Sequence, residues 1–153
     1  MERWLLFFHL LGAFSFFAGA AVAGTLQLAA IRRERPSEIL ALLRLTRAGV
    51  ALVGLGALLT LAFGIALAEH LGLGLSPAWI QASLGLWLAS MALGGLGGRT
   101  ARHARYLAER LAAEGDEPSA ELRSLAAHRP SLWASYLSGA LLVAIVALMV
   151  WQP

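Results

Sequence analysis

Apolar residues fall in four long blocks, at about 4–31, 40–69, 77–98 and 132–151, separated by short charged segments. The first block carries a single ionisable side chain, His9. As a helix of about 28 residues it reaches roughly 42 Å, more than the roughly 30 Å hydrocarbon core requires. It ends at Arg32-Arg33-Glu34-Arg35, four consecutive charges that hydrocarbon excludes. The second block opens after Arg35-Pro36, proline being suited to a helix's first turn, and is free of charge from Ala48 to Ala68. Ser76-Pro77 predicts an N-cap and first turn for the third helix, and Gly94-Gly95 or Gly97-Gly98 its end. The fourth block makes a span of about 30 Å. Four spans with short connections predict an all-α membrane protein, a single antiparallel four-helix transmembrane bundle over 1–153.

The one long polar region is 99–130. Ala104, Leu107, Ala108 and Leu111 recur at three- and four-residue spacing opposite Arg102, Arg105, Glu109 and Arg110. That pattern predicts a short amphipathic helix lying at the membrane surface. A turn at Gly115-Asp116-Glu117-Pro118 then leads to a second short helix.

Composition supports the membrane reading. Of 153 residues, 59% are hydrophobic and 14% charged, with mean hydropathy +0.71; a soluble domain carries roughly a quarter charged residues. Absence of cysteine excludes thiolate metal sites, disulfides and iron–sulfur clusters. All 12 basic residues are arginine, and the Ala, Leu and Gly bias resembles that of a GC-rich bacterial genome. Ala21-Val22-Ala23 has the look of a signal cleavage site, but the apolar run is too long and is followed by Arg32 and Arg33, so a retained helix is expected.

The arginines also predict orientation. Arg32, Arg33, Arg35, Arg44 and Arg47 follow the first span; Arg99, Arg102, Arg105, Arg110 and two more follow the third; only Arg3 lies on the other side. The positive-inside rule then puts both loops in the cytoplasm and both termini outside, in a bacterial plasma membrane. The same arginines would face anionic lipid headgroups, and the net charge of +3 needs no nucleic acid to explain it.

Candidate chemistry is sparse. No Asp, Glu or Lys lies between the interfaces, which argues against an ion-coupled transporter acting as a monomer. No phosphate loop or Ser/His/Asp set is present, and a non-enzymatic protein is expected. His9 lies about 7.5 Å below Trp4, and Ser83 about 9 Å below Pro77, at nearly equal depth. One reading is a hydrogen bond from His9 to Ser83 or Gln81 that ties the first helix to the third; the other is ligation of haem b or a metal by His9. His70, His103 and His128 are expected in solvated loops.

Trp4-Leu5-Leu6-Phe7-Phe8-His9 followed by Ala18-Gly19 resembles the first helix of the HemJ-type protoporphyrinogen oxidases. Phe63-Gly64 with Leu67-Ala68, and the segment from Trp79 to Leu86, are similar to their second and third helices. The likeness extends to the copper-resistance D (CopD) proteins and, most closely overall, to an uncharacterised family of bacterial predicted integral membrane proteins with the same four-span layout. It implies a haem-associated role for His9 and porphyrin or copper handling. Where the oxidases carry a lysine four residues after the third-helix Trp, this chain has Ser83. The leading functional expectation is a small membrane protein that assembles as an oligomer or as an accessory subunit of a larger complex, on the strength of its small-residue helix faces.

Overall fold

The computed structural model describes residues 2–151, and among them every regular element is helical. Helices α1 (Glu2–Ile31), α2 (Pro36–His70), α3 (Ala78–Ala113) and α5 (Arg129–Trp151) are each part of a segment long and apolar enough to cross a membrane, and α4 (Ala120–Ala126) is a short surface helix. Four helices long and apolar enough to cross a membrane are thus present, and no strand is found among the described residues.

The bundle is built as two helical hairpins, because α1 packs chiefly on α2 and α3 chiefly on α5. Lipid offers no hydrophobic drive between spans, so close approach and dispersion must hold each pair. In the first hairpin glycine supplies the approach. A Cβ on Gly19 would stand 2.6 Å from the Gly49 carbonyl oxygen, and one on Gly49 would stand 2.9 Å from the Ala23 nitrogen. Gly12 and Gly56 repeat the contact one step toward the other end, where Gly12 faces Thr60 and Gly56 faces the Phe16 backbone.

Serine holds the second hairpin. Ser90 on α3 is 1% exposed. Its hydroxyl donates to the Ser138 carbonyl at 3.1 Å, while the Ser138 hydroxyl donates to the Ser90 carbonyl at 2.9 Å. Two turns nearer the arginine-rich end, Ser131 donates to the Gly97 carbonyl at 2.7 Å. The halves then meet in a core of Phe16, Ala57, Leu142 and Ile145, with Trp87 packed against it.

One element departs from the sequence expectation. The segment 99–113 is not a separate helix lying on the membrane but the continuation of α3, which runs unbroken through Gly94, Gly95, Gly97 and Gly98. These glycines do not stop the helix because Gly97 serves a close approach: a Cβ there would meet the Ser135 hydroxyl and stand 3.0 Å from the Ser131 carbonyl oxygen. The apolar face of the extension also turns inward rather than toward lipid. Ala104 and Ala108 are fully buried with Ile39, Leu40 and Leu43 of α2, Ala30 of α1 and Leu122 of α4. Burying one such leucine stabilises by on the order of 2 kcal/mol. At 36 residues α3 is about 54 Å long, so it stands well clear of a 30 Å hydrocarbon core.

The α2 N-terminus is closed from a distance. Its N-cap, Arg35, has no side-chain acceptor for the first free amides. Asp116, reached after α3 ends, fills that place: it accepts from the Ser37 amide at 2.7 Å and from the Ser37 hydroxyl at 2.6 Å. The Ser37 hydroxyl, then the Ser37 amide, and the charge of Arg35 hold the Asp116 carboxyl below its ordinary value. A lowered folded pKa means the contribution is complete above the unfolded value of about 3.9 and is lost as pH falls through the folded one. We therefore expect no change in this contact between pH 5 and 8. In Asp116→Ala, amide exchange at pH 7 should be faster over 37–40 and unaltered within the spans; unchanged exchange at Ser37 would refute the capping role.

Candidate functional site

The glycines that draw α1 against α2 also decide where His9 points. His9 sits one turn before Gly12 and is 8% exposed. Its Nδ1 lies 2.9 Å from the Thr60 carbonyl oxygen. A carbonyl can only accept, so Nδ1 carries the proton and Nε2 holds the free lone pair. Thr60 O is already the acceptor for the helix, and its second lone pair is reachable because residue 64, one turn on, is glycine. A Cβ on Gly64 would stand 2.9 Å from both Nδ1 and Cε1 of His9. The imidazole thus occupies the space that a side chain at 64 would fill. Above it the rings of Phe8 and Phe63 stack at 4.9 Å, closing the same pair of helices with aromatic contact.

Three further polar side-chain atoms are buried without a partner among the described residues: Thr60 Oγ1 on α2, and Ser83 Oγ and Trp87 Nε1 on α3. An unpaired buried group costs about 1–3 kcal/mol, so each is a place where a water or a polar ligand group would gain a bond. The donor set for a metal is thin. Among the described residues no group of three or more His, Cys, Asp or Glu could hold an ion. For a haem the site would offer one nitrogen, Nε2 of His9, on a residue 8% exposed.

Residues 3–153 match the model of a family described as "Predicted integral membrane protein (DUF2269)". The chain belongs to this family. No curated protein and no solved structure matches it. The family places the protein in a membrane, and the four apolar helices make it multi-pass. The match to DUF2269 gives no support to the likeness to HemJ-type oxidases or CopD proteins.

The residues singled out in this DUF2269 chain separate into several places. His9 is joined to neither Gln81 nor Ser83. Gln81 Nε2 instead donates to the Leu75 carbonyl at 3.2 Å and the Ser76 carbonyl at 3.4 Å, closing the turn into α3, and Ser83 is the orphan noted above. Equal depth put His9 and Ser83 on one level, but α1 faces α2 there. Thr60 and Gly64, the true neighbours, escaped the sequence reading. The signal was present: Gly12 and Gly19 are spaced by seven, as are Gly49 and Gly56, the interval at which one helix face returns.

All the arginines but Arg3 gather at one end of the molecule. Arg44 pairs with Glu109 at 2.6 Å, and Arg110 lies 3.9 Å from Glu114. Arg105 lies over the Tyr106 ring at 5.2 Å. Arg32, Arg33, Arg35, Arg47, Arg99 and Arg102 form no salt bridge among the described residues. Exposed pairs such as Arg44–Glu109 contribute roughly 0.2–1 kcal/mol, so this end is held by its buried apolar cluster and decorated by charge.

Proposed function

We propose that the protein works by assembly, joining copies of itself or serving as a small subunit of a larger complex in the bacterial plasma membrane. One observation carries this reading, the outward face of α3. Ala78, Ala82, Gly85, Ala89 and Ala92 follow one another at intervals of three and four, and all are exposed. A Cβ on Gly85 would have no neighbour within 4 Å. Elsewhere in this molecule such faces are paired, since Gly12, Gly19, Gly49 and Gly56 all lie against a second helix. The α3 face is the same device without its partner, and small residues are what permit two spans to approach closely. The arginine-rich end faces the cytoplasm in this reading, on the positive-inside rule, which leaves both termini outside.

Haem, porphyrin or copper chemistry at His9 draws less support from the geometry. Its ring fills an interhelical gap, and its one bond serves the α1–α2 contact.

The test is Gly85→Leu. The residue touches nothing within one copy, so the monomer should keep its fold and stability. Native mass measurement in detergent should show a defined oligomer, or a co-purifying membrane partner, for the parent chain and its loss in the variant. A parent chain that is strictly monomeric and unaccompanied would overturn the proposal.

A further inference from the structure

The arginines divide by what they already hold. Arg44, Arg110 and Arg105 are engaged with Glu109, Glu114 and Tyr106, and Arg35 lends its charge to Asp116. Arg32 and Arg33, like Arg47, Arg99 and Arg102, form no salt bridge among the described residues, and they continue an open face of α1 that carries Thr25, Leu28 and Ala29. Those positions form one face of the last turns of α1 and the residues just after it. From Arg32 to Thr25 the face descends about 10 Å into the membrane.

Its chemistry changes over that depth. Two guanidinium groups stand at the top, where the helix ends and the chain meets headgroups. Leu28 and Ala29 make an apolar wall beneath them. At the bottom the Thr25 hydroxyl is spent within the helix, donating to the Ala21 carbonyl at 2.8 Å or the Val22 carbonyl at 3.1 Å, and offers no free proton. The carbonyl end of a helix repels an anion, but here the amides of Arg32 and Arg33 already donate to the carbonyls of Ala29 and Ala30 at 3.2 and 3.1 Å. Glu34 is the one acidic residue in the adjoining run, against Arg32, Arg33 and Arg35.

We propose that this face of α1 binds an anionic phospholipid, with the phosphate held by Arg32 and Arg33 and an acyl chain lying along Leu28 and Ala29. Guanidinium forks match phosphate oxygens in a way a point charge does not. The apolar residues beneath the arginines decide the source, since a soluble phosphate would use only the top of this face. The site lies on α1 and does not depend on assembly through α3.

The experiment is native mass spectrometry of the full chain in micelles containing equal phosphatidylglycerol and phosphatidylcholine. The parent chain should retain phosphatidylglycerol in preference. Arg32→Gln with Arg33→Gln should lower that preference by about five-fold per arginine. Arg32→Lys with Arg33→Lys, which keeps the charge without the fork, should fall between the parent chain and the Gln pair, and Leu28→Gln should reduce lipid retention with both arginines in place. Arg102→Gln, on the exposed side of α3, should leave the preference unchanged. An equal loss in Arg102→Gln would show diffuse surface charge, and equal retention of glycerol 3-phosphate would show a soluble anion. Either result, or the absence of any preference in the parent chain, overturns the proposal.

Discussion

Gly56→Val should unfold the α1–α2 hairpin, whereas Gly54→Val, two residues away, should be near neutral. The first Cβ of a side chain at 56 would meet the Phe16 nitrogen, the Gly12 carbonyl oxygen at 2.7 Å and the Phe16 Cα at 2.8 Å. All three are backbone atoms, so no rotamer change relieves the clash and α1 itself must move away. That movement loosens every contact along the pair, including the His9 bond to Thr60. Overpacking costs typically 1–3 kcal/mol, and a backbone obstacle puts this case at about 3 kcal/mol or beyond. A Cβ at Gly54 has nothing within 4 Å, and a surface change of that kind stays within about 0.5 kcal/mol. Denaturant titration in mixed micelles compares the two directly. Equal stabilities would mean that the glycine face does not hold the hairpin.

His9→Ala should give the next largest loss. It removes a buried ring from the gap over Gly64 and leaves the second lone pair of Thr60 O without its donor. Truncating a core side chain of this size costs about 2–4 kcal/mol, of which the hydrogen bond itself accounts for about 0.6 kcal/mol in a membrane. Asparagine offers an amide N–H where His offers Nδ1–H, so His9→Asn should recover part of the loss. If the Asn and Ala variants are equally unstable, the bond is not what fixes this contact. A haem ligand would behave differently, giving a Soret band in the parent chain that disappears in both variants.

The hydrophobic blocks were enough to read four spans because hydrocarbon thickness imposes their length and charge ends them. Which spans would pair was harder to read. Depth along an axis follows from residue count, so His9 and Ser83 could be levelled, but azimuth depends on packing, and only the seven-residue glycine interval carried it. The continuous α3 was hidden for a related reason. A glycine pair reads as a helix stop when its surroundings are unknown, and at Gly97 it is instead the point where α5 comes close. Asp116 was visible as a turn residue, yet its service to Ser37, 79 positions earlier, depends on the length of α3 that sequence had cut short.

The division of labour between glycine and serine bears on how the chain enters a membrane. Each hairpin carries its own fastener, one made of steric fit and one of hydroxyl bonds, so neither waits for the other to be zipped. Insertion can therefore proceed as two successive modules. The extramembrane part of α3, packed against the opening turns of α2, joins the two modules outside the hydrocarbon.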